Sequence, residues 1–124
     1  MKNLLILIAI MLASACASTI PTMKSVAYRR WLSKKTTGEY EWKDKNGITF
    51  KQVLLDNGVC ELLENGHKIR QPEWSISNGE LHVNHGHILV VWRINADKSI
   101  TWIASIINGK REPKGQQENW KKIK

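Results

Sequence analysis

The chain has 124 residues, a formal net charge of +8, 19 lysines and arginines, 11 acids, six tryptophans and only two cysteines. That length allows one domain after any leader is removed, and two cysteines exclude a disulfide framework. The bases concentrate at the two ends: Lys24, Arg29, Arg30, Lys34 and Lys35 come early, and six more follow Asn108 against Glu112 and Glu118. Between them the body is nearly neutral.

The first fifteen residues read as an export signal: Lys2 gives a positive start, Leu4 to Ala13 is an apolar run, and Ala13-Ser14-Ala15 supplies small residues for cleavage. The run falls short of the roughly 20 apolar residues a bilayer-spanning helix needs. Removal is therefore expected, with residues 1–15 as signal peptide, 16–36 as tether and short basic helix, and 37–124 as a β domain. Export makes nucleic acid an unsuitable partner, although a basic chain usually suggests one. Basic segments beside a membrane instead suggest anionic envelope lipid or phosphate.

The only helical pattern runs from Thr22 to Lys35, with Ala27, Tyr28, Trp31 and Leu32 on one side. Beyond it seven turn signals follow: residues 44–47, 56–58, Asn65-Gly66, Asn78-Gly79, His85-Gly86, 95–97 and Asn108-Gly109. Asn and Gly accept the positive φ of hairpin turns, so seven reversals predict about eight antiparallel strands. Alternation then gives the inward rows. Tyr40 and Trp42 begin them, Phe50 follows, and a phase shift before Val53 predicts a bulge at Gln52. Trp74 and Ile76 face inward, as do Leu81 and Val83. The next rows are Ile88, Val90, Trp92 and Ile94, then Ile100, Trp102, Ala104 and Ile106. The apolar stretch Ile88 to Trp92 predicts cover on both faces. Trp120 and Ile123 suggest a short closing strand, with Trp31 and Trp120 read as interfacial. The fold class is therefore mainly β: an up-and-down meander forming a small barrel or curled sheet after one short helix.

Two local sequences resemble known patterns. Ala13-Ser14-Ala15-Cys16 resembles the lipobox of bacterial lipoproteins, which implies diacylglycerol on Cys16 and membrane attachment through it. Cys60 then stands alone beside Val59 and Leu62, as a buried hydrophobe. Gly38-Glu39-Tyr40-Glu41-Trp42 looks like the G-x-W entry to the first lipocalin strand, with Tyr40 in the Trp place. Residues 74–81 and 99–104, followed by Gly109-Lys110-Arg111, are similar to repeats of small bacterial lipocalin-like lipoprotein domains of unknown function. This resemblance implies a lipocalin-like barrel in the cell envelope.

Candidate chemistry is sparse. No nucleophile elbow, H-E-x-x-H or phosphate-binding glycine loop is present, so the expectation is a non-enzymatic protein without a cofactor. Tyr40, Trp42, Trp74, Trp92 and Trp102 are the candidate lining of a site for a hydrophobic or amphiphilic small molecule. His82, His85 and His87 are read as a polar hairpin tip, with zinc, copper or nickel binding as the alternative. Similar small lipoproteins imply a further option, a protein-binding accessory or an inhibitor of a lytic enzyme, acting through an apolar patch around Leu89 and Val91.

Overall fold

The computed structural model describes residues 23–124. The expected signal segment and Cys16 lie outside those residues. Helix α1 (Met23–Thr36) matches the helical pattern to within one residue. Lys34 and Lys35 in its last turn complement the negative end of the helix dipole. The Thr36 hydroxyl donates to the Leu32 carbonyl at 2.6 Å, and the Thr37 amide to Ser33 at 3.2 Å, closing the helix. The expected apolar side does not dock as a unit. Leu32 and Thr36 are buried, while Tyr28 and Trp31 stack on each other with about half their surfaces in solvent.

Nine strands follow: β1 (Gly38–Lys43), β2 (Thr49–Leu54), β3 (Cys60–Glu64), β4 (His67–Arg70), β5 (Glu73–Ser77), β6 (Glu80–Asn84), β7 (Ile88–Ile94), β8 (Ile100–Ile107) and β9 (Lys110–Lys122). All seven marked turns are hairpins between sheet neighbours. At Asn65-Gly66, Asn78-Gly79 and Asn108-Gly109 both residues have positive φ, the pair that lets a two-residue turn follow the strand twist. The ninth strand arises at Gln71-Pro72, which separates β4 from β5 without pairing them. Proline has no amide to donate, so the chain passes there from one meander to the next.

The sheet order is β4-β3-β2-β1-β9-β8-β7-β6-β5, antiparallel throughout. First and last strands meet through Tyr40 opposite Lys122 and Glu41 opposite Lys121. The sheet stays open between β4 and β5. One bridge, Val59 to Glu73, draws the free edges together, helped by the Cys60 amide on Pro72 and the Trp74 amide on Gly58, both 2.8 Å. The molecule is thus a strongly curled sheet with a seam. Tyr40, Leu54, Leu81 and Ile100 are almost wholly buried inside it, each contributing roughly 1.5–3 kcal/mol of transfer free energy.

Three sequence expectations change. No bulge forms at Gln52: the ladders on both its sides run without interruption, so Phe50, Gln52 and Leu54 share one face and Gln52 is only 2% exposed. The register shifts instead between β8 and its neighbours. Trp92 faces Trp102 but Val91 faces Ala104, which moves Ala104 and Ile106 to the outer face with Leu89 and Val91. Finally, β9 begins at Lys110 rather than near Trp120, and places residues 114–117 against the single Ile103. Its charged composition hides the strand because backbone pairing, not burial, holds its first half.

Val91 is buried as expected for a strand covered on both faces, and the outer cover is ionic. Arg111 on β9 reaches past β8 and β7 to Glu80 on β6 through two bonds of 3.0 and 2.8 Å. Cross-strand register puts this pair on the face carrying Leu89, Val91 and Ala104. Val91 has no exposed surface and Leu89 is half-buried, so an open apolar patch does not form there.

Candidate functional site

Helix α1 lies beside the end of the curl where β1 and β8 begin and β7 and β9 finish. Towards the opposite end the concave face encloses a cavity of about 360 Å³. Its walls follow from the registers above. Trp42 comes from the end of β1, Phe50 and Gln52 from the start of β2, Leu62 from β3, Trp92 from β7, Trp102 from β8, and Glu118 and Trp120 from β9. Arg70 at the end of β4 and His85 in the β6–β7 turn stand by the open seam.

Aromatic packing shapes the cavity. Trp42 stacks on Phe50 (5.7 Å between centroids) and on Trp120 (6.0 Å), while Trp92 meets Trp120 edge-on at 5.4 Å and Trp102 at 6.0 Å. Such offset and edge contacts are the arrangements the ring quadrupoles favour. The wide insertion in β9 brings Lys114 back over Trp102, its ammonium 4.0 Å from the ring centroid and 3.6 Å from Glu118. Trp102 donates to the Ala104 carbonyl at 3.0 Å and Trp120 to Glu118 at 3.4 Å.

Two donors have no partner. Gln52 Nε2 and Trp92 Nε1 are buried and hydrogen-bond to no described protein group, and both residues belong to the lining of this cavity. A buried polar group without a partner costs about 1–3 kcal/mol. Arg70 forms no ion pair with any described residue, so the site combines two buried donors and a rim cation. Burial, and secondarily Arg70, hold His85 below the usual histidine range, which keeps it neutral near pH 7.

The sequence candidates divide. Trp42, Trp92 and Trp102 meet in the cavity. Tyr40 lies towards the helix, where its hydroxyl donates to the Thr36 carbonyl at 2.7 Å and burial pushes its pKa to about 12. Trp74 donates to the Leu55 carbonyl at 2.8 Å near the seam and does not line the cavity. Sequence reasoning missed Gln52 because it was expected to bulge, and Trp120 because it was read as interfacial; Trp120 is 5% exposed at the centre of the ring cluster.

The three histidines separate. The turn centres on Gly86-His87, with the His85 amide donating to the Ile88 carbonyl at 2.9 Å and Asn84 opposite Leu89, where a His85-Gly86 turn would set it opposite His87. His82 then stands outside, 3.5 Å from Glu80, His85 lines the cavity and His87 is exposed. Among the described residues no three His, Cys, Asp or Glu side chains converge to hold a metal. Cys60 is buried and free, its pKa pushed to about 12 by burial and then by Glu61, so its thiol is a packing group at neutral pH.

These features define a class: an open, nine-stranded antiparallel β domain with an aromatic interior cavity. No protein-family model, curated protein or solved structure matches the chain. Among the described residues no helix is long and apolar enough to cross a membrane.

Proposed function

We propose that this chain is a non-enzymatic, exported lipoprotein of the bacterial cell envelope, with a lipocalin-like domain that holds a small amphiphilic molecule in its interior cavity. One observation carries the binding reading: the residues lining an aromatic cavity of about 360 Å³ include two, Gln52 and Trp92, that each carry a buried, unpartnered nitrogen. An apolar ligand body packs against Trp42, Trp102 and Trp120 and removes their remaining exposed surface from water. An acceptor oxygen on that body meets Gln52 and Trp92, replacing their lost hydration. Negative charge on the ligand belongs near Arg70 at the rim, since burying it deeper without a cation is costly.

Anilinonaphthalene sulfonate, a ring system carrying an anion, tests the reading directly. Titration should give saturable binding of one dye per chain with quenching of tryptophan emission. Leu62→Trp fills the cavity and should abolish the binding while the thermal transition persists. Dye binding that is unsaturable, or unchanged in Leu62→Trp, removes the cavity from the function. Export and acylation have a separate check, the mass of the mature amino terminus, where an unmodified Cys16 would end the lipoprotein reading.

A further inference from the structure

The helix end of the domain gathers cations from three distant parts of the chain. Lys34 and Lys35 come from α1, Lys98 from the β7–β8 turn, and Lys122 from the end of β9. They line a groove of about 690 Å³ whose lining contains no acid. The Lys122 ammonium donates to the Lys35 carbonyl at 2.8 Å, which accounts for its own place at the helix C-terminus. It does not account for Lys98, whose turn is fixed by the Asn95 amide on Ser99 and Thr101 at 3.0 and 2.8 Å. The acids nearby are engaged elsewhere: Asp97 accepts from the Ser99 amide and hydroxyl, and Glu39 lies 3.7 Å from the Lys124 ammonium. Burial, and then Lys98, hold the Lys122 amine below its usual range, as expected where cations crowd without a counter-charge.

Exposed aromatic surface borders the same groove. Trp31 is 51% and Tyr28 55% exposed, stacked at 5.9 Å, with Lys35 4.3 Å over the Trp31 ring. Amphipathic rings beside lysines are the combination that partitions into the headgroup layer of a bilayer. We infer that this helix-end groove docks on an anionic membrane, with lipid phosphates seated among Lys34, Lys35, Lys98 and Lys122 and the Tyr28–Trp31 pair in the headgroup layer. Only six residues lie between Cys16 and Met23, so an acyl group on Cys16 holds the helix start within about 25 Å of the bilayer. That tether rests on the proposed acylation; the charge and aromatic arrangement does not. Docked in this way, the cavity end faces away from the membrane.

The chain from residue 16 onward, carrying Cys16→Ser, tests docking without the signal segment or the acyl group. Its partition onto phosphatidylcholine vesicles doped with phosphatidylglycerol should exceed that onto pure phosphatidylcholine by about tenfold or more. The combined Lys34→Gln, Lys35→Gln, Lys98→Gln, Lys122→Gln variant should lose that preference. A control with the same charge change at the other end, Lys43→Gln, Lys45→Gln, Lys51→Gln, Lys110→Gln, should keep it. Equal loss in both variants would reduce the effect to net charge and overturn the groove, as would an unchanged preference in the first. Displacement from the vesicles by soluble glycerol phosphate would make the groove a receptor for free phosphate and overturn docking. A thermal melt of each variant establishes that it is folded, and dye binding in the cavity should be the same in both.

Discussion

The two ends of the curled sheet differ in how densely their buried polar groups are bonded. Near the helix, several buried groups find partners within the chain: Tyr40 bonds to Thr36, and Ser99 and Thr101 are joined by Asn95 and Asn119, while Glu39 Oε2 makes no hydrogen bond and lies 3.7 Å from the Lys124 ammonium. The terminus is tied in by the Glu39 amide on the Lys124 carbonyl at 3.0 Å and the Ile123 amide on Glu39 at 2.8 Å. Towards the other end the seam stays open, and Gln52 and Trp92 keep unpaired nitrogens beside a cavity. The denser side-chain network marks the end that holds the fold, and the open seam with its cavity marks the end that can accept a ligand.

The strongest challenge to that contrast is Tyr40→Ala. It opens a large void at the helix end and should cost about 4 kcal/mol in denaturant unfolding, whereas Trp102→Ala, at a partly buried cavity position, should cost less and chiefly weaken dye binding. Equal losses would mean that the two ends do not differ in role. Next comes Gly38→Ala. Gly38 has φ of +140°, and a Cβ there would overlap the Lys124 carbonyl oxygen, so about 2 kcal/mol of stability should be lost.

At the cavity end the expected sign reverses. Gln52→Leu removes a buried amide nitrogen without a partner and should raise stability by about 1 kcal/mol, while lowering affinity for the anilinonaphthalene dye. A destabilised Gln52→Leu variant would show that the amide is structural. The smallest effect is in pH dependence. The folded chain holds His85 below the usual 6.5, so it binds fewer protons there than the unfolded chain. The stability associated with neutral His85 is complete above that ordinary value and is lost as pH falls through the depressed one. His85→Gln should flatten this slope in unfolding curves measured across the histidine range, and overlapping curves would remove His85 from the acid response.

Much of the fold was legible because turns and alternation are local. Asn65-Gly66, Asn78-Gly79 and Asn108-Gly109 announce their hairpins through backbone sterics alone, and the helix between Met23 and Thr36 is readable from its neighbours in sequence. Antiparallel neighbours then follow from short connections. The cavity was only half legible. Periodicity placed Trp42, Trp92 and Trp102 inside, but it treats a polar Gln52 as a break in phase. It also has no means of seeing that residues 114–117 of β9 stand opposite Ile103 alone.

By itself, then, the sequence determined strand number to within one, the hairpin order and the basic ends. Tertiary structure decided which strand edges meet, that the seam between β4 and β5 stays open, and that Lys34, Lys35, Lys98 and Lys122 share one groove. The physical reason is range. Turn sterics and side-chain alternation act over a few residues, whereas register shifts, cavity walls and gathered charges depend on pairings across the whole curl.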